Sequence, residues 1–293
     1  MNRKEFLKII AVLPFASNTM KLSALSKFSD NLNPTPKMPI LFLGHGSPMN
    51  AIEENEFVTG FRDISQEITK PNAIICISAH WETNGTKITA MQKPRTIYDF
   101  GAFPKELYEV KYDAMGSPEL ASDVKDLVQK TQIELDHSWG LDHGTWSVVK
   151  HLYPKADIPV LQLSLDYNMS PKDHYELAKE LNKLRHKGIL IIGSGNIVHN
   201  LRKVDWSRIN ENFGYDWAIE TNNKIKEFIS DDNHIDLINF DKQGQSFKLA
   251  IPTPEHYLPL LYILALKEKN DMTKIFNDKA VSGSLTMTSY KFY

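Results

Sequence analysis

"ILFLGHGSPM", residues 40–49, runs four apolar residues into Gly44 and then lodges His45 between two glycines, ahead of Ser47 and Pro48. A strand that is apolar at every position has both faces covered, as in a sheet flanked by helices. Apolar runs recur in PILFL (39–43), AIICIS (73–78), PVLQLSL (159–165) and ILIIG (189–193), several of them apolar at every position. Helical patterns lie between these runs. SPELASDVKDLVQ (117–129) offers Ser117 as N-cap, Pro118 at the first helical position, and Leu120, Ala121, Val124, Leu127 and Val128 on one face. SPKDHYELAKELNKLRHKG (170–188) repeats the device with Ser170, Pro171 and Asp173 and stops at Gly188. YDWAIETNNKIKEFISDD (215–232) is a third amphipathic segment, and the alternating SGSLTMTSYKFY (282–293) reads as an antiparallel or edge strand. This alternation predicts an α/β fold, a single domain with a central, largely parallel or mixed sheet flanked by helices.

The 293 residues can bury a substantial core without staples. A net charge of −2 and no basic stripe exclude a nucleic-acid partner. No run is long enough to span a membrane. The single Cys76, inside AIICIS, cannot form an internal disulfide and reads as a small buried hydrophobe, so any metal site must use His, Asp or Glu. MNRKEFLKIIAVLPFAS (1–17) resembles a twin-arginine export leader, with Lys4 in place of the second Arg. With the linker NLNPTPK, residues 1–37 are set aside as leader and linker, and 38–293 as the catalytic domain. Export to the periplasm is the expectation. A short arm or disordered tail on a cytoplasmic protein is the alternative.

Four of the ten histidines follow one rule. His45 follows the strand 39–43, His80 follows 73–78 in ISAHWE, His199 follows 189–193 in IIGSGNIVHN, and His256 follows the apolar FKLAIP in IPTPEHYLP. Ligand sites of open α/β sheets lie beyond the carboxyl ends of the strands, so these four can converge on one metal of the kind imidazole suits, zinc, iron, copper or nickel. The plainer alternative is four unrelated loop histidines. His143 and His137 lie in LDHSWGLDHGTW (135–146); His143, flanked by Asp142, can be oriented by a carboxylate and act as general acid or base. His151, His174, His186 and His234 read as surface or hydrogen-bonded histidines. GSG (193–195) reads as opening a helix, but it lacks a P-loop lysine and the dinucleotide spacing, and no Gly-x-Ser-x-Gly elbow exists. YDFGAFPKELY (98–108) packs Tyr98, Phe100, Phe103 and Tyr108 around Gly101 and Pro104, a shaped aromatic loop suited to a flat apolar substrate.

Taken in order, LFLGHGSPM, SAHW, YDFGAFPKELY, LDHGTW, GSGNIVHN and PTPEHYLPLL closely resemble the class III extradiol ring-cleavage dioxygenases, in the 4,5-DOPA dioxygenase extradiol branch. The resemblance runs from about residue 38 to the C-terminus, and Ala102 is its main departure, where related sequences often have a second glycine. It implies a single-domain α/β fold with one divalent metal on His45, His80, His199 and His256. His199 also matches an acid/base position of more distant relatives, and His143 is implied to assist proton transfer. The implied reaction opens a catecholic, DOPA-like ring with O2 as co-substrate and gives a muconic semialdehyde, with both oxygen atoms entering the product. Fe(II) is expected for activity and Zn(II) as the bound ion. Non-haem iron sites usually present two histidines and one carboxylate. Glu255 is the obvious candidate, yet neighbours in an extended segment point opposite ways. Two other readings use the same residues: a zinc hydrolase with a metal-bound hydroxide, and a metal-containing module that binds aromatic ligands. The partner is a small molecule in either enzyme reading, and the protein is expected as a monomer or homodimer.

Overall fold

Alternate residues of the central strands enter two separate cores. Ile40 and Phe42, Ile75 and Ile77, and Ile189 and Ile191 face one side, while Leu41 and Leu43, Ile74 and Cys76, and Leu190 and Ile192 face the other. That is the physical content of an all-apolar strand, since successive side chains point to opposite faces. Each such fully buried aliphatic side chain contributes about 1.5–3 kcal/mol relative to exposure. The computed structural model describes residues 35–209 and 211–293. The leader reading falls on residues 1–37, of which all but the last three lie outside the described residues.

The strands are β1 (Ile40–Gly44), β2 (Ala73–Thr83), β3 (Thr86–Thr89), β4 (Ile133–Asp136), β5 (Val160–Asp166), β6 (Ile189–Gly195), β7 (Thr273–Phe276), β8 (Ala280–Val281), β9 (Leu285–Thr286) and β10 (Ser289–Phe292). Eight form one sheet in the order β4-β3-β5-β2-β6-β1-β10-β7. The central β5, β2, β6 and β1 are parallel, and β10 pairs antiparallel with both β1 and β7. The sheet is therefore mixed, within a single domain. The C-terminal β10 is an interior strand, because the short and half-exposed β7, which the sequence pattern did not disclose, takes the edge.

The helices are α1 (Glu56–Gln66), α2 (Lys105–Tyr108), α3 (Pro118–Leu127), α4 (His143–Leu152), α5 (Pro171–Glu180), α6 (Asp216–Ser230), α7 (His234–Ile238), α8 (Gln245–Ala250) and α9 (Leu258–Leu266). The expected caps are present. Ser117 accepts from the Leu120 amide, and Ser170 and Asp173 form a capping box. After α5 the chain tightens into a 3-10 segment, Asn182–Lys187, and Gly188 ends it in the left-handed region at φ 75°. Helix α9 is buried all round, as its unbroken LPLLYILAL requires.

His174, on α5, is fully buried, and its Nδ1 lies 2.9 Å from the Tyr262 hydroxyl of α9. Burial pushes its imidazole down to about 4, from an ordinary value of 6.5. Below about pH 6.5 the unfolded chain takes a proton here that the folded chain refuses. The unfolded state then holds more protons, so stability falls as pH drops from 6.5 toward 4, by about 2 kcal/mol at pH 5. Urea unfolding of His174→Gln at neutral pH and near pH 5 should show a correspondingly smaller acid loss than wild type. An equal loss in both proteins rejects this account.

Candidate active site

Strand β6 supplies the platform. Its last residue, Gly195, accepts a hydrogen bond from the His45 amide at 3.1 Å, which fixes the chain as it leaves β1. A Cβ on Gly195 would come within 2.1 Å of the His256 carbonyl oxygen, so only glycine lets that backbone lie on the strand end. The Asn196 amide donates to the same carbonyl at 2.9 Å. Gly44 is equally constrained, since a Cβ there would meet the Met287 carbonyl oxygen at 2.6 Å. GSG (193–195) thus ends a strand and opens no helix.

His80 lies inside β2, which runs on to Thr83, and not beyond the strand as its sequence position suggested. Its pairing with β6 ends at Ser78 and its register against β5 shifts between Ile77 and Glu82, so His80 occupies the point where the sheet opens. His256 also follows no strand. FKLAIP belongs largely to α8, and residues 252–257 form a turn before α9. That turn brings Glu255 Oε1 within 3.3 Å of its neighbour's Nδ1, which an extended segment would forbid.

Ring nitrogens of His45, His80 and His256 fall within 4.8 Å of one another. The Nε2 atoms of His45 and His80 are 3.2 Å apart. Their Nδ1 atoms are already committed. The Ser194 hydroxyl donates to the Gly144 carbonyl, so at 3.0 Å it accepts from His45 Nδ1. Asp99 Oδ2 lies 3.3 Å from His80 Nδ1, and Glu255 stands likewise at His256. A carboxylate only accepts, so these partners favour protons on Nδ1, and with that tautomer the Nε2 lone pairs of His45 and His80 would face each other. Two lone pairs at that distance repel unless a cation lies beside both. Nitrogens about 2.0–2.1 Å from a tetrahedral zinc are about 3.3 Å apart, so the donors present fit a divalent ion.

The electrostatics agree. Burial, then the neighbouring imidazoles, hold His45 and His256 well below the usual histidine range. Burial and the adjacent His143 bring His80 to about 3. His199 falls to about 4 by burial, against a partial pull upward from Glu255. All four are neutral near pH 7, the form that binds metals. His199 lies beside the group of three. Its ring stacks flat on His256, centroids 3.5 Å apart, and its nitrogens cluster with Glu255 and His256. Its backbone is held there by the Ala250 carbonyl and a bridge to Leu285.

His143 opens α4, packed against His80 with ring centroids 3.9 Å apart. The expected orienting group, Asp142, serves otherwise. It is fully buried, caps α4 through the Thr145 amide, and accepts from Ser78 at 2.7 Å and Gln162 at 2.6 Å. Asp99 holds His143 instead, accepting from its amide through Oδ1 and facing its Nδ1 through Oδ2, each at 2.8 Å. Burial alone would raise the Asp99 carboxyl, but the His143 bonds and the nearby imidazoles outweigh it and keep it below 3.8. Phe100 sets its edge against His143 at 5.4 Å and packs with Tyr98, Phe103 and Tyr108, so the aromatic loop walls the site. His137 is exposed. Asp99 and Ser194 were the functional contacts missed in the sequence; the one signal was an acidic residue inside an aromatic loop.

A family model described as the catalytic LigB subunit of aromatic ring-opening dioxygenase matches residues 36–293. The 4,5-DOPA dioxygenase extradiol of Escherichia coli (strain K12) is 42% identical over 265 residues, covering 89% of this chain and 96% of that protein. The enzyme of the same name from Beta vulgaris is 34% identical over 269 residues, covering 90% and 97%. A crystal structure of an uncharacterized protein from E. coli K12 superposes with a TM-score of 0.76 at 38% identity, covering 87% of this chain and all of that one. No helix among the described residues is long and apolar enough to cross a membrane. The histidine cluster and these matches together place the chain in the family of the LigB catalytic subunit, the class III extradiol ring-cleavage dioxygenases, and make it an oxidoreductase of the dioxygenase type.

Proposed function

We propose that the protein opens a catecholic ring beside its diol with O2, giving a muconic semialdehyde, at one divalent metal held by His45, His80 and His256. The observation that carries this is the convergence of ring nitrogens of His45, His80 and His256 within 4.8 Å, with the Nε2 atoms of His45 and His80 3.2 Å apart. When bound, iron(II) supplies Lewis acidity toward the catechol oxygens and the electron that O2 requires. The chain supplies the rest. His143, its Nδ1–H directed at Asp99, keeps Nε2 free to take a proton from a catechol hydroxyl and return it later. His199 was expected as both ligand and acid/base group. Its stacking outside the group of three favours the second role. Phe100 and its aromatic neighbours offer a flat apolar wall and keep water from the reacting ring.

The hydrolase and ligand-binding readings give way to the family assignment, but three histidines without a carboxylate among them also suit zinc. Fe(II) is the proposed active ion. Apo-protein loaded anaerobically with Fe(II) should consume O2 with at least one member of a catechol panel and develop yellow semialdehyde absorbance. The zinc-loaded protein should do neither. Absence of O2 uptake across the panel would falsify the proposal.

His45→Ala should lose bound metal and turnover together while far-ultraviolet dichroism stays native. Retention of stoichiometric metal, read by elemental analysis, counts against the ligand assignment. His143→Gln should lower kcat by roughly 10²-fold or more, the usual worth of general acid–base catalysis. An unchanged kcat at saturating substrate removes His143 from proton transfer.

A further inference from the structure

Asp99 sits where two chemistries meet. Its segment is pinned on all sides: the Ile97 amide donates to Leu141, the Leu141 amide to Arg95, the Trp146 indole to Ile97, and the Tyr98 hydroxyl to Val110, all within 2.7–2.8 Å. The carboxylate itself is largely buried, with a side-chain exposure of 14%. Two hydrogen bonds reach it, both from His143, and a nitrogen of His80 stands at ion-pair distance. Oδ1 takes the His143 amide. Oδ2 faces the Nδ1 of His143 at 2.8 Å and the Nδ1 of His80 at 3.3 Å. The 2.8 Å bond calls for a proton on Nδ1 of His143, and a carboxylate oxygen 3.3 Å from Nδ1 of His80 favours the same tautomer there, which would leave Nε2 of both rings as acceptor.

We infer that Asp99 is a single positioning residue for both functions of the site: one oxygen sets the tautomer of the metal ligand His80 and of the proton-transfer histidine His143. Ligand His rings ordinarily donate their second N–H to an acceptor that orients them and raises their basicity. Here that acceptor is shared with a neighbouring ring that binds no metal. Asparagine cannot replace it. With its oxygen at the Oδ2 position, its NH2 would oppose the His143 amide. Turned the other way, its NH2 would oppose both Nδ1–H groups.

The inference rests on the metal reading of His45, His80 and His256, and its test does not need turnover. Apo full-length protein is titrated with zinc against a colorimetric chelator, for wild type, Asp99→Asn and His143→Gln. Wild type is expected to bind one ion per chain. Asp99→Asn should bind it roughly 10- to 100-fold more weakly, while His143→Gln stays close to wild type. In parallel, 15N spectra of the histidine rings in wild-type apo-protein should show Nδ1–H on both His80 and His143, a signature that survives even if Asp99→Asn fails to fold. Unchanged zinc affinity in a folded Asp99→Asn overturns the inference. So does an Nε2–H on either ring, an equal weakening in His143→Gln, or a second ion held by His80, Asp99 and His143. A wild type that binds no divalent ion overturns the metal reading itself, and the two failures are thereby told apart.

Discussion

The Nε2 atoms of His45 and His80 stand 3.2 Å apart, and the surrounding structure keeps them there. Two imidazoles left to themselves would share a proton across that gap. Ser194 and Asp99 oppose this by offering acceptors to Nδ1, and Glu255 does the same for His256. The partners of His45 and His80 come from the end of β6 and from the aromatic loop, while Glu255 shares the turn before α9 with the ring it faces. A cation beside both Nε2 atoms would meet rings that these partners already orient.

The platform beneath these rings is stiff. Strand β6 lies between β1 and β2, and all seven of its residues are buried. Gly193 lets the Pro259 carbonyl, at the start of α9, press onto the strand, and Gly195 lets the His256 carbonyl do so. The first turn of a wholly buried helix is thus locked to the strand whose end also anchors His45. A displacement of His256 would have to move α9 through a close-packed core, which is expensive at any amplitude above a few tenths of an ångström.

Much of this was legible in the sequence, and the exceptions have physical reasons. All-apolar runs located the four central strands to within a few residues, and Ser117, Ser170 and Asp173 marked their helices because capping is local chemistry. Strands β3, β4 and β7 were silent: each has four residues, too few for a period to show. FKLAIP was read as strand-like and is mostly helix, since a short apolar run carries no period either. The sequence offers Asp142 as the orienting carboxylate because proximity in sequence stands in for proximity in space, and Asp99 is not singled out there. At a helix N-terminus the preceding aspartate is occupied by capping, so the orienting carboxylate comes from elsewhere. Ala102, the departure from the family pattern, adopts φ 61°, a region that costs an alanine about 1 kcal/mol and glycine almost nothing.

The choice of metal is not written in the donors alone. Three neutral imidazoles suit zinc and iron(II) alike, and the general affinity order places zinc above iron(II) for the same nitrogen set. A site of this kind holds whichever ion the cell or the purification supplies, and the bound ion reports availability before it reports chemistry. What distinguishes the two is reactivity toward O2, which only a redox-active ion confers. In the proposed function the residues that would serve that chemistry are the ones outside the group of three: His143 poised by Asp99, His199 stacked on His256, and the aromatic side chains at Phe100. A hydrolytic zinc site would need a route for water to the ion. The aromatic side chains beside His143 suit a flat ring, so in the proposed function the surroundings, more than the ligands, would carry the dioxygenase character of the site.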